Sequence, residues 1–360
     1  MEERKKIIHI IHSFYPIIGG IEKSVYEIAI RQNRKYDVTI ITSSIVPKAE
    51  IGLKIVRLKS IRLFNMPDLT IPIQRTKIIK EADIIHYHSQ NSLFSVMLLS
   101  NKRNNVFTLM AVDSLYDHPN KIIRALSPIY SRATMDKVIK NAKKLIVKNL
   151  RDLKILKEKY GKNAYLVPEG VDDIFFSLEK SDSFIERIGE DYILYIGRLH
   201  RLKGVEVLIK AAKYINSKIV FIGPGDINTY RKMAERLGVE NKCVFLGYVD
   251  DITKIRAIDS ASLIVIPSIS DYAEAFSITL SEAWSREKAV VASSVGSLKY
   301  RIINGVNGIL VPPGDYISLA NEVNNLLNNR KLAEKMGKEG KKEVINWDNV
   351  VKLLDKVYWE

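Results

Sequence analysis

DYILYIGRLHRLKGVEVLIKAAKYINSKIVFIGPGD, residues 191–226, decides the fold. It contains two continuous apolar runs, Tyr192–Gly197 and Lys218–Gly223, with a helical pattern, Val205–Tyr214, between them. An apolar run without alternation favours a strand buried on both faces of a parallel sheet, because helices cover both faces of such a sheet. The stretch therefore predicts one strand–helix–strand unit of an α/β protein.

The same order of apolar runs and helical patterns continues along the whole chain. The other predicted strands are Lys6–His12, Asp37–Thr42, Leu53–Leu58, Ala82–His88, Asn105–Val112, Lys144–Lys148, Ala164–Val167, Cys243–Leu246, Leu263–Pro267, Ala289–Ser293 and Gly308–Val311. Helical patterns also cover Glu22–Arg31, Asn228–Leu237 and Thr279–Arg286. The repetition predicts α/β architecture from end to end.

The repeated order breaks at PEGVDDIFFSLEKSDSFIERIGED (168–191), which has turn residues and charges but no strand pattern. We expect a linker here between two domains, residues 1–175 and 176–346, each with its own core. Two such sheets leave a cleft between them, where ligands often bind. The amphipathic pattern of residues 347–360 predicts a last helix that returns to the first domain.

The composition is that of an ordinary folded protein of 360 residues, with 46% hydrophobic residues. One cysteine, Cys243, excludes an internal disulfide framework and a cysteine-based zinc site. We expect Cys243 to be buried. No run of 18 apolar residues occurs, and MEERKKIIHIIHSFYP (1–16) lacks the long apolar stretch of a signal peptide. We therefore expect a cytoplasmic protein, with the cytoplasmic face of a membrane as a further location.

Positive charge is concentrated in the first half of the chain. The formal net charge is +15, of which residues 1–180 contribute +13 (31 Lys+Arg against 18 Asp+Glu). Residues 101–150 alone contribute +7 (10 against 3). Such a surplus attracts an anionic substrate, an acidic membrane or nucleic acid, although a solvated surface is the alternative. We find no nucleic-acid-binding motif and expect no such partner.

Two loops have the composition of phosphate-binding loops. Gly19–Gly20 follows the first strand and precedes a helix, so backbone N–H groups and the helix dipole can approach a phosphate. A tight turn is the alternative. In GRLHRLKG (197–204), Arg198 and Lys203 follow a strand and suit a diphosphate, although a solvated charged loop has the same composition.

An acidic pair flanks the start of the helix at Thr279–Arg286. Glu274 precedes this helix, and we expect Glu282 about two turns inside it, so that the two carboxylates reach different parts of one extended ligand. The N–H groups of Ala275, Phe276 and Ser277 are predicted to point at an anion. A carboxylate at Glu282 is suited to accept both hydroxyls of a ribose.

Together these residues resemble the retaining GT-B glycosyltransferases of family 4, also called group 1. The resemblance covers most of the chain and is carried by the number, order and spacing of its pieces. These are Phe14-Tyr15-Pro16, Gly19-Gly20-Ile21-Glu22, PEGVD (168–172), GRLHRLKG (197–204), IVFIGPGD (219–226), VFLGYVDD (244–251), Pro267-Ser268, Glu274 with Glu282, and NGILVPPGD (307–315).

The resemblance implies two Rossmann-like domains that face each other across a cleft, with a nucleotide-sugar held mainly by the second. It implies that Arg198 and Lys203 neutralise the donor diphosphate, that Glu282 binds the ribose, and that Glu274 lies near the sugar with the Phe276 and Ser277 N–H groups nearby. Gly19–Gly20 would approach the diphosphate from the first domain. Transfer retains the anomeric configuration, and neither a metal nor another cofactor is implied; the chain contains no Asp-x-Asp.

Several positions depart from the family pattern. Met110 stands where the family often has His, with Asp113 or His118 as substitutes and a core role for Met110 as the alternative. His86 and His88 end a strand and suit a substrate contact, or a packed histidine. The usual Gly-x-Pro reads Glu287-Lys288-Ala289, a later Pro-Glu reads Lys299-Tyr300, and Asn149 replaces a common Ser.

The sequence thus predicts a metal-independent hexosyltransferase of glycan biosynthesis, whose acceptor is a lipid-linked or membrane-associated glycan. Residues 121–148 mix apolar and basic residues as a helix on an acidic bilayer does, although a core-facing helix with a basic outer face has the same composition. A soluble sugar or glucan acceptor and a non-catalytic sugar-nucleotide binder are the other hypotheses.

Overall fold

In the computed structural model the chain forms two compact units. Unit 1 comprises Met1–Gly170 and Trp347–Glu360, and unit 2 comprises Val171–Asn346. The structure describes residues 4–17, 19–47, 50–100, 104–118, 120–189 and 191–360. Residues 1–3 lie outside the described residues. They are the first part of the stretch 1–16, which lacks the apolar run of a signal peptide.

Unit 1 contains a seven-stranded parallel sheet and a small hairpin. Its strands are β1 (Lys6–Ile10), β2 (Asp37–Ser43), β3 (Lys54–Leu58), β4 (Ser60–Arg62), β5 (Thr70–Pro72), β6 (Ile84–His88), β7 (Asn105–Thr108), β8 (Lys144–Val147) and β9 (Tyr165–Leu166). Its helices are α1 (Gly20–Gln32), α2 (Leu93–Leu98), α3 (Lys121–Asn141), α4 (Leu150–Tyr160) and α14 (Trp347–Trp359). The sheet order is β3-β2-β1-β6-β7-β8-β9, and β4 pairs with β5 antiparallel.

Unit 2 repeats this plan with a six-stranded parallel sheet. Its strands are β10 (Tyr192–Ile196), β11 (Lys218–Ile222), β12 (Cys243–Gly247), β13 (Leu263–Ile266), β14 (Val290–Ser293) and β15 (Ile309–Val311). Its helices are α5 (Ile174–Ser177), α6 (Phe184–Ile188), α7 (Val205–Ala211), α8 (Ile227–Arg236), α9 (Asp251–Ser260), α10 (Ile278–Ser285), α11 (Leu298–Arg301), α12 (Tyr316–Asn328) and α13 (Arg330–Lys341). The sheet order is β12-β11-β10-β13-β14-β15.

The predicted two-domain α/β fold is confirmed, because each sheet is parallel and doubly wound in the Rossmann manner. The continuous apolar runs are the buried strands: four residues of β10 and all of β13 are buried. Cys243 is buried as predicted, and its burial raises the pKa of the thiol to about 12.

The last helix, α14, packs into unit 1 as its amphipathic pattern predicts. Val350, Leu354, Val357 and Tyr358 are buried on one face. The Val357 carbonyl accepts a 2.7 Å hydrogen bond from Lys144 Nζ. Helix α14 therefore completes the core of unit 1, whose other residues come from the first half of the chain.

The boundary between the units falls inside the segment 168–191, where the sequence predicts it, but the residues after the boundary are not a linker. Apart from residue 190, which lies outside the described residues, the segment from Val171 onward is part of unit 2. Its short helices α5 and α6 bury Phe175 and Phe184 in the core of that unit. The division between the units falls after Gly170, whereas the sequence suggested residue 175.

Candidate functional site

The candidate site lies at the carboxyl edge of the unit 2 sheet. Strands β10 and β13 are neighbours, while the chain continues outward from them in opposite directions. The strand order therefore reverses between them, and ligands of open α/β sheets bind at such a switch point. The loop after β10 carries Arg198 and Lys203, and the loop after β13 carries Ser268 and Glu274.

Close backbone packing holds these two loops together. Gly204 has φ +73°, and a Cβ on it would lie 1.8 Å from the Pro267 carbonyl oxygen, so glycine is required there. The Ile269 N–H donates to the Leu202 carbonyl at 3.0 Å, which joins the two loops directly. The loop that carries Lys203 is thus fixed against the end of β13.

Lys203, Glu274 and Ser268 form a hydrogen-bonded cluster. The Lys203 ammonium donates to Glu274 Oε1 and to the Ala273 carbonyl, each at 2.7 Å. The Ser268 hydroxyl donates to the same Oε1 at 2.6 Å. Glu274 is buried whereas Lys203 is partly exposed, so the carboxylate anchors a cation that reaches toward solvent.

Arg198 is a second cation on the loop that carries Lys203. Its side chain is exposed, and among the described residues it makes no ion pair. Lys203 already neutralises Glu274, so the guanidinium of Arg198 supplies the uncompensated positive charge. An Arg fork suits the paired oxygens of a phosphate.

The segment after Glu274 presents backbone N–H groups. Within the described chain, the N–H groups of Phe276 and Ser277 find no acceptor, and the Ser277 hydroxyl is buried without a partner. Ser277 has φ +62°, a conformation that is strained for a residue with a side chain. A strained, donor-rich turn before α10 is typical of a ligand-binding segment.

Arg301, which the sequence did not reveal, fixes the turn at Phe276–Ser277 by hydrogen bonds. Its guanidinium donates to the carbonyls of Phe276 (2.8 Å) and Ser277 (3.1 Å) and to the Ser281 hydroxyl (2.7 Å). Burial lowers its pKa to about 10. The available signal was a cation directly after Lys299-Tyr300, the replaced Pro-Glu pair.

Glu282 lies one turn inside α10, because the helix begins at Ile278; the expected two turns are wrong. Its Oε1 accepts a 2.7 Å hydrogen bond from Lys254 of α9, a partner that the sequence did not reveal. The pKa of Lys254 is raised despite the opposing effect of burial, because Glu282 and Asp251 favour its charged form. The carboxylate of Glu282 is therefore oriented by Lys254.

In unit 1, Gly19 and Gly20 lie at the corresponding place after β1. Strands β1 and β6 mark the switch point of that sheet. Gly19 is the N-cap of α1, which begins at Gly20, two residues earlier than predicted. A Cβ on Gly20 would meet no atom within 4 Å, so the backbone is open to approach there.

His88 is buried in the core of unit 1 with His9 and His86. His9 Nδ1 lies 3.0 Å from His88 Nε2, and the other His9 nitrogen lies 2.8 Å from Gln32 Oε1. His86 bonds Tyr358 and Thr108, each at 2.6 Å. Burial lowers the pKa of His9 to about 4 and the pKa values of the other two well below the usual range.

This imidazole cluster has the spacing of a metal site, since three ring nitrogens lie within 4.8 Å of one another. Both ring nitrogens of His9 and of His86 already bond to protein groups. The ring of His88 is buried, as in the packed-histidine alternative, and its contact with an acceptor stays a prediction.

Asp113 and His118 follow the half-buried Met110. Asp113 accepts from Lys159 (2.6 Å) and from the Tyr160 hydroxyl (2.9 Å), so its carboxylate is committed to α4. His118 Nδ1 accepts from the Asn120 N–H at 3.1 Å.

The backbone N–H and carbonyl of Met110 both bond to the side-chain amide of Gln90, each at 2.8 Å. The structure does not bring Asp113 and His118 together in a hydrogen bond.

The departures from the family pattern have local explanations. Glu287 stands where the family has glycine, and its φ is +59°. Its carboxylate accepts hydrogen bonds from Lys180 (2.6 Å) and Lys341 (2.7 Å). These two lysines lower its pKa to about 2 and offset a strain on the order of 1 kcal/mol. Asn149 caps α4 by accepting from the Asp152 N–H at 2.8 Å.

Two family models match this chain, one in each unit. Residues 18–174 match Glycosyltransferase Family 4, and residues 179–343 match Glycosyl transferases group 1. The matches meet close to the boundary between the units.

Curated relatives are glycosyltransferases. An uncharacterized glycosyltransferase of Methanocaldococcus jannaschii, MJ1607, is 38% identical over 52% of this chain and 50% of its own. A phosphatidyl-myo-inositol mannosyltransferase of Mycobacterium leprae is 31% identical over 56% and 54%. The chain thus spans about half the length of these two relatives, whereas the O-antigen chain mannosyltransferase C of Escherichia coli is 23% identical over 98% of each chain.

Solved structures share the fold. Sucrose-phosphate synthase from Thermosynechococcus elongatus has a TM-score of 0.78 at 21% identity, over 99% of this chain and 98% of its own. Anabaena HepE in complex with UDP has a TM-score of 0.78 at 18% identity, over 98% and 99%. Likeness at this level of identity identifies the GT-B fold.

Proposed function

Because this chain belongs to the group 1 glycosyltransferases of family 4, we propose that it moves a hexose-type sugar from a nucleotide-sugar donor to a lipid-linked or membrane-associated glycan. The observation that carries the proposal is the Lys203–Glu274–Ser268 cluster with the exposed Arg198 on the loop that carries Lys203. Its charges and position at the switch point fit a diphosphate that is bound beside a sugar.

We assign the donor contacts to unit 2. Arg198 and Lys203 bind the diphosphate, and the N–H groups of Ala275, Phe276 and Ser277 add hydrogen bonds to the donor. Glu274 faces the sugar, and Glu282, oriented by Lys254, accepts the ribose hydroxyls. A diphosphate contact of Gly19–Gly20 stays a prediction.

Transfer breaks the bond between the anomeric carbon and the diphosphate oxygen. Negative charge then builds on the diphosphate, where Arg198 and Lys203 stabilise it more strongly than in the intact donor. The acceptor oxygen bonds to the anomeric carbon from the leaving-group side, and the acceptor proton passes to the departing diphosphate. This route retains configuration without a covalent nucleophile.

The acceptor class is supported by charge and by relatives. Unit 1 residues carry most of the excess positive charge of the chain, which suits a phosphate-bearing or membrane-bound acceptor. The name of one relative specifies a phosphatidyl-myo-inositol acceptor, and that of another an O-antigen chain. Both names specify mannosyl transfer, so GDP-mannose is the first donor to test.

A thermal-shift screen with UDP-, GDP- and ADP-sugars tests the donor. A ligand at a hundred times its Kd stabilises the folded protein by about 2.7 kcal/mol, so a matching donor raises the melting temperature. The Arg198→Ala variant should lose this shift, while Arg231→Ala, an exposed arginine of α8, should keep it. A screen in which no nucleotide-sugar stabilises the protein contradicts the proposal.

The chemistry is tested with the donor that binds. We expect transfer in the presence of EDTA, and a product whose anomeric configuration by NMR equals that of the donor. An inverted product overturns the route given above. Turnover with soluble glucans but not with lipid-linked acceptors selects the soluble-acceptor hypothesis, and donor binding without any transfer selects the non-catalytic binder.

A further inference from the structure

In the first half of helix α3 of unit 1, apolar side chains face solvent and small polar side chains are buried. Ile122, Leu126 and Ile129 are 71%, 60% and 75% exposed. They follow the spacing i, i+4, i+7 and therefore share one face. The buried positions of the same turns are Ser127 and Ser131. A core-facing amphipathic helix has the opposite arrangement, so that alternative applies only to the second half, where Met135 and Val138 are buried.

The buried hydroxyls make this reversal tolerable. The Ser127 hydroxyl donates to the Arg124 carbonyl at 2.8 Å, an acceptor that Pro128 cannot serve because proline has no N–H. The Thr134 hydroxyl donates to the Tyr130 carbonyl at 3.1 Å. The inward face is thus satisfied within the helix, and nothing in unit 1 covers the outward apolar side chains of the described residues.

The hairpin of β4 and β5 presents a second apolar group. Ile61 and Ile73 are exposed, and Phe64, in the 3₁₀ turn Leu63–Asn65 after β4, is 85% exposed. Phe64 also has φ +51°, an unfavourable conformation for a bulky side chain. An exposed aromatic ring at a strained backbone position is typical of a residue that binds another surface.

The two groups belong to the same part of unit 1. Helix α2 contacts both α3 and β5, and its Met97 is also exposed. The Tyr130 hydroxyl of α3 donates to the Asn91 carbonyl just before α2. Burial raises the pKa of Tyr130, and Asp68, between the hairpin strands, adds to the rise. We name Ile61, Phe64, Ile73, Met97, Ile122, Leu126 and Ile129 the apolar face.

Most charges on these elements are basic, and Asp68 of the hairpin is an acidic exception. Lys121, Arg124 and Arg132 are exposed among the apolar residues of α3, and no acidic residue occurs between Lys121 and Arg132. Lys59 and Arg75 flank the hairpin and are also exposed. Exposed apolar side chains next to cations on the same elements match the interface of an anionic bilayer, which is apolar below a negative surface.

We propose that the apolar face inserts into the headgroup region of an anionic lipid bilayer and holds the enzyme on the membrane. A second copy of the chain is a poorer occupant, because a two-fold contact would bring the same cations together. No helix among the described residues has the length and hydropathy to span a bilayer. The inference extends the proposed function but rests on the surface alone, since docking requires neither donor nor acceptor.

The test is co-sedimentation of the full chain with vesicles of phosphatidylcholine, with and without about one third phosphatidylglycerol. We expect binding to the anionic vesicles and little to the neutral ones, with weakening as salt is raised. The triple variant Ile122→Asn, Leu126→Asn, Ile129→Asn should lower the partition coefficient at least about tenfold, because three aliphatic side chains no longer insert. Phe64→Ser should lower it by a smaller factor.

The matched control is Ile303→Asn with Ile317→Asn, two exposed isoleucines of unit 2. It should bind vesicles as the unchanged chain does, and every variant should keep its melting temperature because the substituted side chains are exposed. Equal binding to both kinds of vesicle, no binding to either, or an undiminished triple variant overturns the proposal.

Two further readouts separate the alternatives. If sedimentation velocity without vesicles shows a dimer that the triple variant abolishes, the apolar face is an interface between copies and the bilayer proposal is wrong. The donor-induced melting shift is measured on the same preparations. Absent vesicle binding with an intact shift overturns the docking proposal alone, whereas vesicle binding without any shift contradicts the proposed function alone.

Discussion

The carboxyl edges of the two sheets carry polar side chains of opposite character. In unit 2, Arg198, Lys203 and Glu274 are charged, and the two cations reach solvent. In unit 1, His9 and His88 are buried, bonded to each other and held neutral by lowered pKa values. The strand order reverses at the corresponding place in both sheets.

This contrast shows that topology selects the place of a site but not its use. Burial decides the use: an imidazole without solvent contact stabilises the fold, whereas a half-exposed ammonium on a buried carboxylate can bind an anion. The exposed cations of unit 1 include Lys59, Arg75, Lys121, Arg124 and Arg132, which lie on or beside the elements of the apolar face.

The sharpest test of the contrast is Arg198→Ala. Loss of this exposed cation should lower kcat/KM about a hundredfold to a thousandfold while leaving the melting temperature unchanged, because its charge is used on the leaving diphosphate. Steady-state kinetics with the identified donor measure the effect. Arg231→Ala is the control, and equal activities of the two variants would remove Arg198 from the site.

The buried histidines predict acid instability of unit 1. Their pKa values are lower in the folded than in the unfolded chain, so the unfolded state binds more protons as the pH falls below about 6.5. Stability is therefore lost between about pH 6.5 and 4, by a few kcal/mol. Asp152, whose burial raises its pKa to about 6, has the opposite sign but is a single group.

Hydrogen exchange followed by mass spectrometry resolves this loss by unit. Peptides of unit 1 should lose protection on acidification before those of unit 2. The variant His88→Gln should flatten the pH dependence, and His200→Gln, an exposed histidine of unit 2, should not. Simultaneous loss in both units, or a steep pH dependence in His88→Gln, would contradict the assignment.

Arg301 is a positioning residue, and Arg301→Lys tests it. Lysine cannot span the Phe276 and Ser277 carbonyls and Ser281 together, so the turn before α10 should loosen and donor KM should rise about tenfold. Arg286→Lys is the matched control: Arg286 is also buried in unit 2, but it binds Asp259 at 2.7 Å. The control should lose stability without raising donor KM; a similar rise in both would mean a merely structural role.

Gly20→Ala should have the smallest effect on donor use among these variants. The new Cβ meets no atom within 4 Å, so α1 should gain up to about 1 kcal/mol by unfolding measurements. If the backbone at Gly20 approaches the diphosphate, donor KM should nevertheless rise. Unchanged KM in a stabilised variant would assign Gly19–Gly20 to the tight-turn alternative.

The sequence predicts the strands of both large sheets well, because continuous apolar runs such as those at β10 and β13 have one stable destination, a doubly covered sheet. It missed the β4–β5 hairpin, whose three-residue strands are too short for a periodic signal. The sequence predicts a linker over 168–191 because charged and turn residues dominate there, whereas Phe175 and Phe184 of two short helices pack into the core of unit 2.

At the candidate site the sequence predicts Arg198, Lys203 and Glu274, because each lies in a loop that directly follows a predicted strand. Their partners were not readable. Lys254 and Arg301 reach Glu282 and the Phe276 carbonyl from other elements, and such long-range contacts leave no local pattern. For the same reason the sequence could not tell a buried His88 from an accessible one.

The discontinuity of unit 1 sets an order of events during synthesis. Helix α14 supplies the Tyr358 hydroxyl to His86 and an acceptor to Lys144, yet the ribosome makes it after all of unit 2. Unit 2 is contiguous and has its whole sheet once residue 311 has emerged. Unit 1, although translated first, therefore cannot complete its core until unit 2 and α14 have been made, and its apolar residues stay exposed for longer during synthesis.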